Sequence, residues 1–185
     1  MARLPYADPD RVSEPVREAL AAVPPLNVFR MTANAETAFR PWLAFGGALL
    51  SSLELDARLR ELVILHVARL SGAEYERVQH VPIALAAGAT ERELAAVESG
   101  DLESDALGDA ERAVLRFTTE VVQDVRASDD ALAAVVEAGF SPREIVELVL
   151  VIGQYMMVAR VAETAGIELD EPAAVSESAE RGRRS

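Results

Sequence analysis

The side chains best suited to proton transfer lie in one short stretch of the chain. Glu61 leads into an apolar run, and Glu76 and His80 follow four residues apart, with Tyr75 beside them. A spacing of four places two side chains on the same face of a helix, where a carboxylate raises the pKa of an imidazole and orients its ring. Glu61, Glu76, His80 and Tyr75 are therefore candidates for an acid–base site.

Each candidate also has a structural interpretation. His80 could cap a short helix, Glu61 could join two helices through an arginine, and Glu76 could belong to an ordinary solvated face. Tyr75 could be a packing aromatic whose hydroxyl is bonded to a backbone carbonyl. The apolar run LVILHVA predicts a helix buried on all sides, so His66 within it is expected to be a core histidine. Glu61, Glu76 and His80 could also hold a metal, but mixed carboxylate sites usually have more ligands, so we predict none.

The composition excludes several kinds of chemistry. The 185 residues contain no Cys, and every one of the basic residues is Arg. Thiolate nucleophiles, disulfides and lysine Schiff bases are thus excluded. The net charge of -13 disfavours nucleic acid and anionic lipid as partners. The N-terminal ten residues lack the apolar run of a secretory signal, and the most apolar stretch, 145–159, reads as a buried helix, so we expect a cytoplasmic protein.

The pattern of apolar residues and helix signals predicts an all-α fold. Alanine, leucine and valine dominate, and only 5% of the residues are aromatic, which suits packed helices better than a β-sandwich. About eight helices and no strand are expected, one of them interrupted at Pro82. We assign residues 1–168 to a single domain and 169–185 to a disordered polar tail. The predicted helical segments are 13–23, 34–50, 56–70, 73–80, 82–87, 90–99, 109–126, 128–138 and 141–165.

One segment carries a family resemblance. Residues 58–98, RLRELVILHVARLSGAEYERVQHVPIALAAGATERELAAVE, closely resemble the central segment of the carboxymuconolactone decarboxylase / alkylhydroperoxidase D superfamily. In that family, a buried helix beginning with glutamate precedes a Gly-Cys-x-x-Cys-x-x-x-His stretch. Glu61 and His80 lie where the glutamate and the histidine of the family lie, and the resemblance extends over about residues 20–168. It implies an alkylhydroperoxidase D-like helical bundle.

The chain departs from this pattern at both cysteines, which correspond to Ala73 and Glu76. A dithiol–disulfide cycle is therefore impossible, and thiol peroxidase activity is not expected. The resemblance then implies the non-thiol branch, which includes a decarboxylase of a carboxylated lactone. We expect a cofactor-free lyase or isomerase in which His80 donates or relays a proton, Glu61 and Glu76 tune it, and Arg30 binds an anionic substrate.

Two other functions remain open at this stage. One is a hydrolase or dehydratase on the same scaffold, and the other is a non-catalytic protein that binds a small molecule. Members of the family usually assemble, and the long apolar helix 141–165 offers more apolar surface than a small monomer can hide. We therefore expect a homo-oligomer, a trimer or hexamer, or alternatively a dimer.

Overall fold

In the computed structural model, which describes residues 1–170, the chain forms nine α-helices and no strand. This confirms the predicted all-α class, with one helix more than the eight expected. The helices are α1 (Glu14–Ala22), α2 (Asn27–Thr32), α3 (Glu36–Ser51), α4 (Ala57–Ser71), α5 (Glu74–Ala86), α6 (Glu91–Ser99), α7 (Asp109–Asp124), α8 (Asp129–Glu137) and α9 (Pro142–Ala165).

Helix α4 is the centre of the fold. Every residue from Leu59 to Ala68 is buried, because α5, α6, α7 and α9 all pack around it. The Asp56 side chain accepts a hydrogen bond from the Leu59 backbone N–H at 2.9 Å and so begins the helix. Gly72, at φ 65°, ends it in the left-handed conformation that glycine adopts without strain. Each large aliphatic side chain fully buried here contributes roughly 1.5–3 kcal/mol.

Two prolines lie inside helices rather than at their ends. The predicted break before Pro82 is wrong, since α5 runs without interruption from Glu74 to Ala86, and Pro41 likewise lies within α3. Each proline removes one backbone hydrogen bond. In α5, packing against α4 and α9 supplies tertiary contacts that local propensity does not include. The short helix α2 was not predicted, because six residues carry too little periodicity to be recognised.

The last helix, α9, is 24 residues long and begins with a capping box formed by Ser141 and Glu144. By length and composition alone it could cross a membrane, but half of its most apolar stretch is buried inside the protein. Glu147, within this apolar stretch, accepts hydrogen bonds at 2.9 Å from the backbone N–H groups of Glu54 and Leu55. We therefore describe α9 as a core helix. Its residue Glu147 fixes the loop before α4 through these two hydrogen bonds.

Packing contacts continue two residues past the predicted domain boundary at residue 168. The Asp170 carboxylate accepts hydrogen bonds from the Asn27 backbone N–H at 2.8 Å and from Gln79 Nε2 at 3.0 Å. These contacts join the end of the described chain to α2 and α5, so Asp170 belongs to the packed domain. The rest of the predicted tail, 171–185, lies outside the described residues.

His66 is a core histidine, as predicted. Its Nε2 lies 2.8 Å from Thr119 Oγ1, and that hydroxyl donates its own hydrogen to the Leu115 carbonyl at 2.9 Å. The hydrogen between His66 and Thr119 therefore belongs to Nε2, and Nδ1 is buried without a hydrogen-bond partner in the described structure. Burial lowers the pKa of His66 from its usual 6.5 to about 4, with a smaller contribution from the charge of Arg69.

This lowered pKa predicts a pH-dependent stability. As the pH falls, the unfolded chain binds a proton at His66 before the folded chain does, so the contribution of His66 is complete above pH 6.5 and is lost towards pH 4. Relative to His66→Gln, the wild type should lose up to about 3 kcal/mol of unfolding free energy over this range. Urea unfolding of both proteins at several pH values measures the difference, and parallel pH curves would contradict it.

Candidate active site

A buried ion pair joins α4 to α5. His80 Nδ1 lies 2.7 Å from Glu61 Oε2, and neither side chain reaches bulk solvent, with 0% of Glu61 and 7% of His80 exposed. Arg60 Nε and Nη2 donate to the other carboxylate oxygen, Oε1, at 3.0 and 2.9 Å. Both oxygens of Glu61 are thus engaged. The alternative that Glu61 joins two helices through an arginine is not realised, because Arg60 lies next to Glu61 on α4 and His80 makes the link to α5.

Neighbouring charges shift the pKa values of both Glu61 and His80. Burial alone would raise the pKa of Glu61, but the charge and hydrogen bond of His80, together with Arg60, lower it below its ordinary value. Burial alone would lower the pKa of His80, but Glu61 and the more weakly acting Glu76 raise it. Because Glu61 is a carboxylate, Nδ1 of His80 carries the hydrogen and donates it. Nε2 forms no hydrogen bond with residues 1–170, so it is the ring nitrogen that is available to exchange a proton with a bound molecule.

His80 and Glu76 both border a cavity of about 260 Å³ between α2, α3, α5 and α9. This volume is just below the range of roughly 300–1,000 Å³ typical of small-molecule sites, so the cavity suits a small ligand. Among the described residues of its lining, none is arginine. Most of that lining is apolar and includes Val28, Phe29, Trp42, Leu43, Ile83 and Val158.

Glu76 is part of the cavity wall rather than of a solvated face. Only 3% of the side chain is exposed, and its carboxyl group forms no hydrogen bond with residues 1–170. Burial raises the pKa of Glu76 to about 7, against the smaller opposing effect of the His80 charge. A carboxyl group that titrates near neutral pH can both donate and accept protons under ordinary conditions. Of the predicted residues, Glu76 and His80 therefore meet at one cavity, and Glu61 lies behind them, joined to His80 by its hydrogen bond.

Tyr75 also borders the cavity, but its hydroxyl group is already engaged. It donates to the Asp170 carboxylate and accepts a hydrogen bond from the Val28 backbone N–H at 3.2 Å. Burial, followed by the hydrogen bond to Asp170, raises the pKa of Tyr75. Its position supports a structural role in which α5 is tied to α2 and to the end of the described chain. Because the Tyr75 hydroxyl already donates its hydrogen to Asp170, that hydrogen is not available for the proton transfer predicted from the sequence.

Arg30 does not lie in the cavity wall, contrary to the expectation that it binds substrate. It is exposed on α2, with its guanidinium carbon 4.7 Å from the centre of the Tyr6 ring and Nη1 3.2 Å from Asn27 Oδ1. The helix turns this side chain away from the face that carries Val28 and Phe29 into the cavity. The position of Arg30 in the chain could not show this, because α2 was not recognised as a helix.

The structure adds two polar residues of α9, Gln154 and Tyr155, to the cavity wall. The Tyr155 ring meets the His80 ring edge-on, with the ring centres 4.8 Å apart. Gln154 is 5% exposed, and its Oε1 is buried without a hydrogen-bond partner. The sequence pattern predicts only a buried apolar helix over residues 145–159 and assigns these two residues no role. The available signal was the presence of two polar side chains in the most apolar helix of the chain.

The fold and the site together define a helical protein with a buried Glu–His pair beside a small apolar cavity. Residues 36–120, which contain the pair, match the carboxymuconolactone decarboxylase family. No curated protein matches the chain significantly. The family match assigns residues 36–120 to the carboxymuconolactone decarboxylase family, in a form that lacks the cysteine pair, and the solved structures that follow share the alkylhydroperoxidase D-like fold.

Several solved structures share the fold. The alkylhydroperoxidase AhpD core of an uncharacterized peroxidase-related protein from Ralstonia eutropha has a TM-score of 0.81 at 21% identity, covering 92% of this chain and 93% of that one. A protein of unknown function from Agrobacterium tumefaciens has a TM-score of 0.68 at 26% identity, over 75% and 95%. A debrominase in complex with 2,3,4-tribromopyrrole has a TM-score of 0.65 at 17% identity, over 91% and 90%.

The raised pKa of Glu76 predicts that this residue destabilises the fold at neutral pH. The folded chain binds the proton more tightly than the unfolded chain, so the stabilising contribution is complete below pH 4.5 and is lost as the pH rises through about 7. Above pH 7, Glu76→Gln should raise the unfolding free energy by up to about 3 kcal/mol. Exposed Glu163→Gln is the control for urea unfolding, and a Glu76→Gln protein no more stable than this control would contradict the prediction.

Proposed function

We propose that this protein is a cofactor-free lyase or isomerase that moves protons on a small, largely apolar and uncharged substrate, such as a lactone. The observation that carries the proposal is the buried Glu61–His80 pair, whose free imidazole nitrogen borders an apolar cavity. Proton transfer by a positioned imidazole is a common source of catalysis that needs no metal or cofactor. The family match supports an enzyme of this kind without naming its reaction.

Each residue of the pair has a distinct role in this mechanism. At a pH above its raised pKa, His80 is neutral; it then accepts a proton from substrate carbon at Nε2 and returns it to the product. The Glu61 carboxylate holds Nδ1–H and stabilises the imidazolium that forms, while Arg60 keeps Glu61 ionised. Glu76, with a pKa of about 7, is a second group at the cavity wall that can exchange protons near neutral pH. Glu61 is thus a positioning residue, and His80 is the catalytic one.

The lining of the cavity favours an uncharged substrate over the carboxylated one implied by the family resemblance. A substrate carboxylate would enter a mostly apolar space whose described lining contains no arginine, and it would face Glu76. Burying an unpaired charge is strongly unfavourable. The debrominase of the same fold is in complex with a small ring compound, which is consistent with a ring of this size as the ligand class.

A hydrolase, a dehydratase or a binding protein would use the same cavity as the proposed lyase or isomerase. One experiment distinguishes these functions by their products. Purified protein would be incubated with five- and six-membered lactones, uncharged or carboxylated, including carboxymuconolactone, and products identified by mass spectrometry. An isomer or a decarboxylated product supports the proposal, whereas a ring-opened acid indicates a hydrolase and loss of water a dehydratase. Tight binding without turnover would indicate a binding protein.

Two substitutions test the roles of the pair. His80→Gln should lower kcat by roughly 10²–10⁴-fold, the usual contribution of a general acid–base group. Glu61→Gln keeps the shape of the side chain but removes its charge, so the pKa of His80 should fall and the pH at which activity appears should move lower. Glu163→Gln is the control. A Glu61→Gln enzyme that is slower but has an unshifted pH profile would contradict the assigned role of Glu61.

We also propose that the protein is a cytoplasmic homo-oligomer. Val146, Val149, Leu150 and Met157 expose large apolar surfaces along one side of α9, at the spacing of helix turns. Contiguous apolar surface of this kind is typical of an interface between subunits. Light scattering should give the mass of a trimer or hexamer, or of a dimer, and Val149→Glu with Leu150→Glu should yield a monomer. A wild-type mass equal to that of one chain would contradict the proposal.

A further inference from the structure

Two hydrogen-bonding side chains of α9 face the cavity without a partner in the described structure. Gln154 and Tyr155 both line the cavity beside His80, and neither side chain forms a hydrogen bond with residues 1–170. A buried polar group without a partner is unfavourable, because it has lost its hydrogen bonds to water. Such groups are few in native proteins, and a position in a cavity wall beside a candidate catalytic residue gives a specific explanation, a ligand that supplies the partner.

The other uncharged polar groups of the lining are already occupied. The hydroxyl of Tyr75 and the amide nitrogen of Gln79 both donate to Asp170. Gln154 and Tyr155 therefore supply an amide and a phenol that have no such acceptor among residues 1–170. Burial, and then the charges of Glu61 and Glu76, raise the pKa of Tyr155, so its hydroxyl keeps its hydrogen and can act as a donor.

We propose that Gln154 and Tyr155 together bind one oxygen of the substrate, and that this oxygen is the carbonyl oxygen of a ketone or lactone with an acidic C–H group beside it. The proposal rests on the proposed function, because the C–H group must face His80. The edge-on contact between the Tyr155 and His80 rings, with centres 4.8 Å apart, keeps the donor and the proton acceptor close together. The donor pair also fits an uncharged substrate, because a carbonyl oxygen is bound by hydrogen-bond donors and does not require a cation.

The step balances without a further reactant. The C–H bond next to the carbonyl breaks, its proton goes to Nε2 of His80, and its electron pair forms a carbon–carbon double bond. The π electrons of the carbonyl move onto oxygen, where the Gln154 N–H and the Tyr155 O–H stabilise the enolate. Return of the proton from the imidazolium, to the same or another carbon, completes an exchange or an isomerisation.

Binding of two ring compounds of matched shape tests the donor pair. Cyclohexanone and methylenecyclohexane differ in whether the ring carries C=O or C=CH₂, and their dissociation constants can be measured by ligand-observed NMR. The wild type should prefer the ketone. Gln154→Leu and Tyr155→Phe should each weaken ketone binding by about five- to tenfold, as expected for one hydrogen bond, without weakening binding of the hydrocarbon. Glu163→Gln, on the same helix, should change neither.

Equal weakening of both ligands in the variants, or failure of the wild type to bind the ketone more tightly, would overturn the donor pair. Exchange of the α-hydrogens of cyclohexanone in D₂O separates this inference from the proposed function. His80→Gln should lose the exchange and keep the ketone preference. A preference that depends on Gln154 and Tyr155, without exchange in the wild type, would support the donor pair and contradict the proposed function. Exchange in the wild type without such a preference would support the proposed function and contradict the donor pair.

Discussion

A carboxylate in the middle of the hydrophobic core constrains the whole structure. Glu61 is fully buried, and an ionised carboxylate in such a place is tolerated only when strong partners surround it. Arg60 and His80 satisfy its two oxygens, and His80 must come from another helix to do so. The register of α5 on α4 is thus tied to one hydrogen bond, and the same bond orients the imidazole towards the cavity.

The polar residues of the cavity are those that break the rules of the helices in which they lie. Gln154 and Tyr155 interrupt the apolar face of α9, and Glu76 is a carboxyl group in an apolar wall. Each of them places a polar group where a well-packed core would have an apolar side chain. Conflicts of this kind are expected at functional sites, where stability is lost in return for reactive groups. His66, by contrast, is a buried polar residue that serves packing, because Thr119 holds its ring.

The end of the described chain takes part in the site indirectly. Asp170 holds Tyr75 and Gln79 of α5 and the first residue of α2, Asn27. These contacts occupy the polar groups at one part of the cavity wall and leave the donors of α9 available. Replacement of the family cysteines by Ala73 and Glu76 removes thiol chemistry from the same helix region while keeping the glutamate–histidine pair. The scaffold therefore keeps a buried glutamate–histidine pair without a thiol beside it.

The sequence by itself determined the all-α class, the buried helix that carries Glu61, and the candidate residues Glu76 and His80. Those features depend on local periodicity, helix caps and spacing, which are properties of neighbouring residues. Only the tertiary structure decided that Tyr75 is engaged by Asp170, that Arg30 lies outside the cavity, and that two polar residues of α9 line it. The physical reason is that contacts between distant segments depend on how whole helices pack, and local patterns carry no record of that packing.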